Sequence, residues 1–157
     1  NGSHWNTSLG LHSYDLVETI QDAVKSGKPF LGICLGLQLL FDSSEEAGGK
    51  GLGLLPGKIL RIPAAEGLKI PHMGWNSIDI KEGSRLFEGI DRQSYMYFVH
   101  SYYLKARNPE DVAATTWYST DIHAAVEHDN IFACQFHPEK SSELGLRILK
   151  NFADLRL

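Results

Sequence analysis

The sequence predicts an α/β layer fold, and three consecutive segments carry that prediction. Tyr14 to Lys25 sets Leu16, Val17, Ile20, Ala23 and Val24 at the spacing of one helix face, and Ser26-Gly27-Lys28-Pro29 supplies the glycine stop and proline that close a helix. Phe30-Leu31-Gly32-Ile33 is a short unbroken apolar run between turn signals, the pattern of a strand buried on both faces. A second helical pattern, Leu35 to Phe41, follows it. Helix, buried strand, helix is how a layered α/β fold reads in sequence.

The remaining elements follow in order. Ser43 to Gly53 is polar and rich in glycine and reads as a loop; Pro56 to Pro63 and Trp75 to Lys81 read as short strands. Ser94 to Leu104 is dense in aromatic and β-branched residues, which predicts one strand buried on both sides, with Tyr95, Tyr97 and Phe98 in the core. Val112 to Trp117, Ala124 to Glu127 and Ile131 to Phe136 are predicted strands, with a hairpin turn at Asp129-Asn130. Leu144 to Leu155 places Leu144, Ile148, Leu149 and Phe152 on one face of a closing helix. No repeat or linker divides the 157 residues, so a single domain spanning 1–157 is expected.

Composition removes several function classes. With 15 basic and 19 acidic residues the net charge is −4, and Lys and Arg form no run, so the electrostatic footprint of a nucleic-acid binder is missing. The longest apolar stretch, Pro29 to Phe41, contains Gln38 and falls short of the about 20 residues of a membrane span. Cys34 and Cys134 match neither a disulfide framework nor a Cys-x-x-Cys metal or redox pair. They read as thiols in a reducing compartment, and a cytoplasmic location is expected.

Gly32-Ile33-Cys34-Leu35-Gly36 has the form G-x-C-x-G where a strand hands over to a helix, the cysteine counterpart of the hydrolase nucleophile elbow. Such a turn strains the nucleophile's backbone, and the flanking glycines are expected to prevent collisions with neighbouring backbone or substrate. The helix N-terminus favours thiolate at Cys34, and the Leu35 N–H is aimed to stabilise an oxyanion. The alternative from the pentapeptide alone is a buried structural cysteine between packing glycines.

A thiolate acyl-transfer site needs a base, and Gln135-Phe136-His137-Pro138-Glu139 offers one just after a predicted strand. Pro138 holds His137 extended at the strand tip, and a turn can bring the Glu139 carboxylate back to the imidazole. Alone, His137 reads as a surface or capping histidine; with the elbow, it completes a Cys-His-Glu set.

These residues carry a resemblance. The elbow, continued by Leu37-Gln38, together with Phe136-His137-Pro138-Glu139, resembles the class I (triad) glutamine amidotransferases. Within that class the chain is similar to the glutaminase subunits of imidazole glycerol phosphate synthase. The elbow indicates only the class, and Pro71-His72-Met73-Gly74-Trp75-Asn76 and Tyr97-Phe98-Val99-His100-Ser101-Tyr102 single out the subunit. The resemblance implies a three-layer α/β fold with a mixed, mainly parallel central sheet. It implies hydrolysis of L-glutamine to glutamate and ammonia, with Cys34 as nucleophile, His137 as proton relay and Glu139 orienting His137. Gly2, Leu35, Gln38, Glu46, His100, Ser101 and Tyr102 match positions that shape the glutamine site or lie beside it. His72, Met73, Trp75 and Asn76 match the face that meets a (β/α)8 cyclase subunit, which receives the ammonia through a channel for histidine biosynthesis. No metal or organic cofactor is implied.

Each residue also has a plainer reading: His100 as a satisfied core histidine, Trp75 and Asn76 as a packing aromatic and a turn, Glu45-Glu46 as a solvated loop. The family pattern opens with one or two further βα units and a Pro-Gly-x-Gly loop, and Gly2 falls where that loop's last glycine is expected. The sequence begins there, so a full-length product is expected to carry the missing first strands upstream. The alternatives are strands supplied by another chain and a shortened, catalytically silent interaction subunit; another class I amidotransferase is the alternative for function.

Overall fold

The computed structural model describes residues 12–45 and 51–156. In chain order its elements are α1 (His12–Lys25), β1 (Phe30–Ile33), α2 (Leu35–Leu39), β2 (Phe41–Ser44), β3 (Leu55–Arg61), β4 (His72–Ile80), β5 (Gln93–His100) and β6 (Tyr102–Ala106). A 3-10 turn, η1 (Pro109–Asp111), leads to β7 (Val112–Tyr118), β8 (Thr120–His128) and β9 (Ile131–Cys134); η2 (Pro138–Lys140) and α3 (Ser142–Ala153) follow. Six strands form one sheet in the order β1-β9-β8-β7-β4-β5, and three form a second in the order β2-β3-β6.

Strand alternation makes the six-stranded sheet the middle of three layers. From β1 and β9, Leu31, Ile33, Phe132 and Cys134 point into one apolar cluster, which Ile148 and Phe152 of α3 and the Leu86-Phe87 turn cover. Phe30, Ile131 and Ala133 point the other way, into a cluster with Val24 of α1, Leu37 of α2 and Leu55, Ile59 and Leu104 of the small sheet. His123 of β8 spans the gap by accepting the Ala106 N–H at 2.9 Å, which ties β6 to the main sheet. On the far side, α3 approaches η2 so closely that a Cβ at Gly145 would stand 1.8 Å from the Pro138 carbonyl oxygen. Only glycine lets the helix carry Ile148 that near the sheet.

The α/β class and the mixed sheet are as expected, but pairing in the main sheet is less parallel than expected. Among the described residues β1–β9 is its parallel pair, and β9–β8, β8–β7, β7–β4 and β4–β5 are antiparallel. Three further expectations are corrected. β1 packs on both faces but is only half-buried: among the described residues it stands at the sheet edge, and Gly32 is its one buried residue. The helix after the elbow ends at Leu39, and Phe41 to Ser44 is a strand parallel to β3, where a helix end and a loop were expected. Phe41 is pulled into the core by the small sheet, a contact no local pattern encodes.

The aromatic stretch is two strands in two different sheets, broken at Ser101. Its first half alternates inward and outward, so Phe98 is core but Tyr95 is 63% exposed. At the hairpin between β8 and β9, Asp129 takes φ 53°, the left-handed conformation a tight turn there demands. Among the described residues no helix is long and apolar enough to cross a membrane.

Candidate active site

Cys34 stands where β1 stops and α2 starts. Its N–H reaches the Cys134 carbonyl at 2.8 Å, one hydrogen bond beyond the last paired residue, Ile33. The chain then turns sharply, with Cys34 at φ 54° and ψ −104°. That conformation is costly for a non-glycine residue and persists because the strand and the helix fix both ends. Of the two flanking glycines only one is sterically required among the described residues: a Cβ at Gly32 would meet the Gly36 carbonyl carbon and oxygen at 2.8 Å, whereas one at Gly36 has none of their atoms within 4 Å. The expectation that both prevent a collision is therefore corrected for Gly36 with respect to protein atoms. α2 has five residues, so few peptide dipoles add along it. The local donor matters more: Leu35 is the first helical residue, and its N–H has no intrahelical acceptor.

β9 runs parallel to β1 as its neighbour, so the two strands deliver Cys34 and His137 to the same end of the sheet. The backbone at His137 is pinned to β5, its N–H donating to Tyr97 O at 2.9 Å. Ser141 locks this further: its hydroxyl donates to His137 O at 2.7 Å and accepts the Tyr97 N–H at 3.0 Å. Pro138 starts η2, whose tight turn swings Glu139 back so that its Oε1 lies 2.9 Å from His137 Nδ1. A carboxylate only accepts, so Nδ1 carries the proton and Nε2 is left for chemistry. His137 and Glu139 thus meet as the sequence predicts.

A second histidine pair lies beside this site. His100 Nδ1 donates to the Tyr102 carbonyl at 2.7 Å, which makes His100 Nε2 an acceptor. His72 Nδ1 donates to that nitrogen at 3.0 Å, and the Asn76 amide approaches His72 Nε2 at 3.3 Å while donating to Trp117 O at 2.9 Å. Every link has one consistent polarity when both rings are neutral. Burial lowers the pKa of each ring to about 4; the neighbouring His100 adds to the effect at His72, and at His100 the Tyr102 carbonyl opposes it. His72 stacks between Phe98 and Tyr118.

Gln38, on α2, donates from Nε2 to Tyr102 O at 3.2 Å and to Gln135 Oε1 at 3.1 Å. Its Oε1 is buried and has no hydrogen-bond partner among the described residues. Ser101 and Tyr102 bridge the two sheets next to it, with the Ser101 carbonyl accepting the Ile62 N–H at 2.9 Å. Gly2 and Glu46 lie outside the described residues. On β4, alternation separates the four residues expected at a partner face. Met73 and Trp75 are 62% and 53% exposed, Asn76 is half-buried, and His72 is buried. His72 is thus corrected from a surface contact to the inner support of that face.

The residue that sequence reasoning missed is Gln135. It is fully buried, and its Nε2 lies 3.4 Å from Cys34 Sγ. Its position next to Phe136-His137 was the one signal available, and nothing in that motif tells where an amide points. Among the described residues no cluster of three His, Cys, Asp or Glu side chains is placed to hold a metal ion.

Known proteins are similar to this chain. The family model described as "Glutamine amidotransferase class-I" matches residues 10–155. The imidazole glycerol phosphate synthase subunit HisH of Syntrophotalea carbinolica is 54% identical over 145 residues, 88% of this chain and 70% of that protein. The subunit of the same name from Desulfitobacterium hafniense is 55% identical over 152 residues, 96% of this chain and 71% of that protein. A solved glutamine amidotransferase from Thermotoga maritima superposes with TM-score 0.65 at 18% identity, covering 98% of this chain and 59% of that one, which supports the fold. A strained cysteine elbow, a histidine held by a glutamate just beyond the adjacent parallel strand and a family match over nearly the whole sequence agree: the chain belongs to the class-I glutamine amidotransferases and, within them, to the HisH subunit family.

Proposed function

We propose that this chain hydrolyses L-glutamine through Cys34, His137 and Glu139 and delivers the ammonia to the cyclase subunit of imidazole glycerol phosphate synthase. The observation that carries the reading is the delivery of a strained cysteine and a Glu139-oriented histidine to one sheet end by two adjacent parallel strands.

In this reading His137 Nε2 takes the Cys34 thiol proton as Sγ attacks the carboxamide carbon, and the oxyanion that forms faces the Leu35 N–H. His137 passes a proton from Nε2 to the departing nitrogen, so ammonia leaves and a γ-glutamyl thioester remains. Water then adds to the thioester while His137 takes its proton; the tetrahedral adduct expels the thiolate and releases glutamate. Throughout, the Glu139 carboxylate keeps the proton on Nδ1 and stabilises the imidazolium. Gln38 Oε1, which has no partner among the described residues, supports a role in substrate binding, since a glutamine's ammonium or amide N–H is a donor of the right kind. Met73 and Trp75 present the apolar side chains that a partner surface covers, in line with docking of the cyclase on β4. A cytoplasmic setting belongs to the same proposal and fits a sequence whose two cysteines match no disulfide framework.

The test is Cys34→Ala in complex with the cyclase. Glutamine-dependent synthesis is expected to vanish while ammonia-dependent synthesis continues at the wild-type rate. Retained glutamine hydrolysis in the folded variant refutes the nucleophile assignment.

A further inference from the structure

The Cys34 sulfur has a donor aimed at it that the triad does not account for. Gln135 follows the last residue of β9, and Cys34 follows the last residue of β1, so the parallel register sets the two next to each other. The Gln135 side chain is shielded completely from solvent, and its amide lies between the Cys34 sulfur at 3.4 Å and the Gln38 amide at 3.1 Å.

An amide can be turned either way, and here the surroundings decide which. The Tyr102 carbonyl can only accept, so the Gln38 group 3.2 Å from it is the NH2. That NH2 also faces Gln135, which must answer with its oxygen. The Gln135 nitrogen is then left to face Cys34. Tyr102 O is itself held by the His100 Nδ1–H, and His100 by His72, so the polarity is set from a buried neutral pair outward.

We propose that Gln135 is a positioning residue for the nucleophile: its N–H holds the Cys34 sulfur, and Gln38 holds that amide the right way round. The inference rests on Cys34 being the nucleophile and goes beyond it. A neutral N–H donor strengthens its bond when the sulfur becomes anionic, so Gln135 favours the thiolate and keeps it turned toward one rotamer. Gln38 acquires a second task, orienting Gln135 through Nε2.

The experiment follows carboxamidomethylation of Cys34 by iodoacetamide as a function of pH, read by peptide mass. Iodoacetamide is small and needs no glutamine site. Three proteins are compared, each first shown to be folded by circular dichroism: wild type, Gln135→Glu and Gln135→Met. In Gln135→Glu the donor becomes an acceptor of the same shape, and the reactivity midpoint is expected to rise by about one to two pH units, the value of a lost hydrogen bond to a charged group. Gln135→Met removes the donor without adding charge, and a smaller rise in the same direction is expected. A wild-type midpoint in whichever variant folds overturns the proposal, because a merely structural glutamine does not move the titration of the sulfur. Cys34 that alkylates in wild type with an unmoved midpoint in the variants refutes Gln135 alone. Cys34 that resists alkylation at every pH in wild type refutes the nucleophile reading, and the Gln135 role with it.

Discussion

Replacing Gly32 with alanine puts one methyl group where the elbow has no room, and replacing Gly36 puts the same group where no atom of the described residues lies within 4 Å. The Gly32 methyl would stand 2.8 Å from both the carbonyl carbon and the oxygen of Gly36 and 3.1 Å from the Leu37 nitrogen. Ordinary contact begins at 3.4 Å, and all three atoms are backbone, so no side chain can swing away. The first turn of α2 must move by several tenths of an ångström, and it carries the Leu35 N–H with it. Overpacking of this kind costs about 1–3 kcal/mol, which for a chain of this size lowers Tm by about 2–12 °C. A misplacement approaching 1 Å near reacting atoms costs up to about 10²-fold in rate. Gly36→Ala relieves a flexible residue inside a helix and is expected to stabilise by about 0.4–1 kcal/mol. Thermal melts and glutamine hydrolysis with the cyclase present check both variants side by side. A Gly32→Ala protein that melts and turns over like wild type, or a Gly36→Ala protein that suffers equally, refutes the steric account of the elbow.

Two further outcomes follow from the same geometry. His72 and His100 titrate at about 4 when folded and near their ordinary 6.5 when unfolded. Between these values the unfolded chain binds more protons, so their contribution is complete above pH 6.5 and is lost as pH falls toward 4. Urea midpoints from pH 4.5 to 7.5 should show that decline with a shallower slope in His100→Gln; equal slopes would remove the pair from the explanation. Trp75, exposed and edge-on to Tyr97 at 5.9 Å, is expected to act only in partner binding. Trp75→Ala should raise the Kd for the cyclase by about 30-fold or more while leaving stability within about 0.5 kcal/mol, measured by calorimetry and by melting. An unchanged Kd would move the docking face elsewhere.

The elements that were legible were those whose signal is local. The helix of α1 and the strand of β1 were readable from periodicity and from Ser26-Gly27-Lys28-Pro29, and the elbow and the His137–Glu139 pair were readable from motifs of five residues. Phe41 to Ser44 was misread because its strand exists only by pairing with β3, across a loop. Ser94 to Leu104 was misread as one buried strand because aromatic density does not record that the chain changes sheets at Ser101.

By itself the sequence determined the chemistry on offer: a cysteine between glycines at a strand end, a histidine and a glutamate on either side of a proline, and the Pro71 to Asn76 segment with its tryptophan. The tertiary structure decided which of those groups meet, and in which orientation. It put Gln135 on the Cys34 sulfur across a separation of 101 residues and Gln38 on Gln135 across 97. It turned His72 inward while leaving Met73 outside, and it left Gly36 with free space where Gly32 has none. The reason is physical: backbone torsions and side-chain periodicity are properties of neighbouring residues. The direction of a buried amide or the polarity of a histidine pair depends on partners that only strand pairing brings within 3.5 Å.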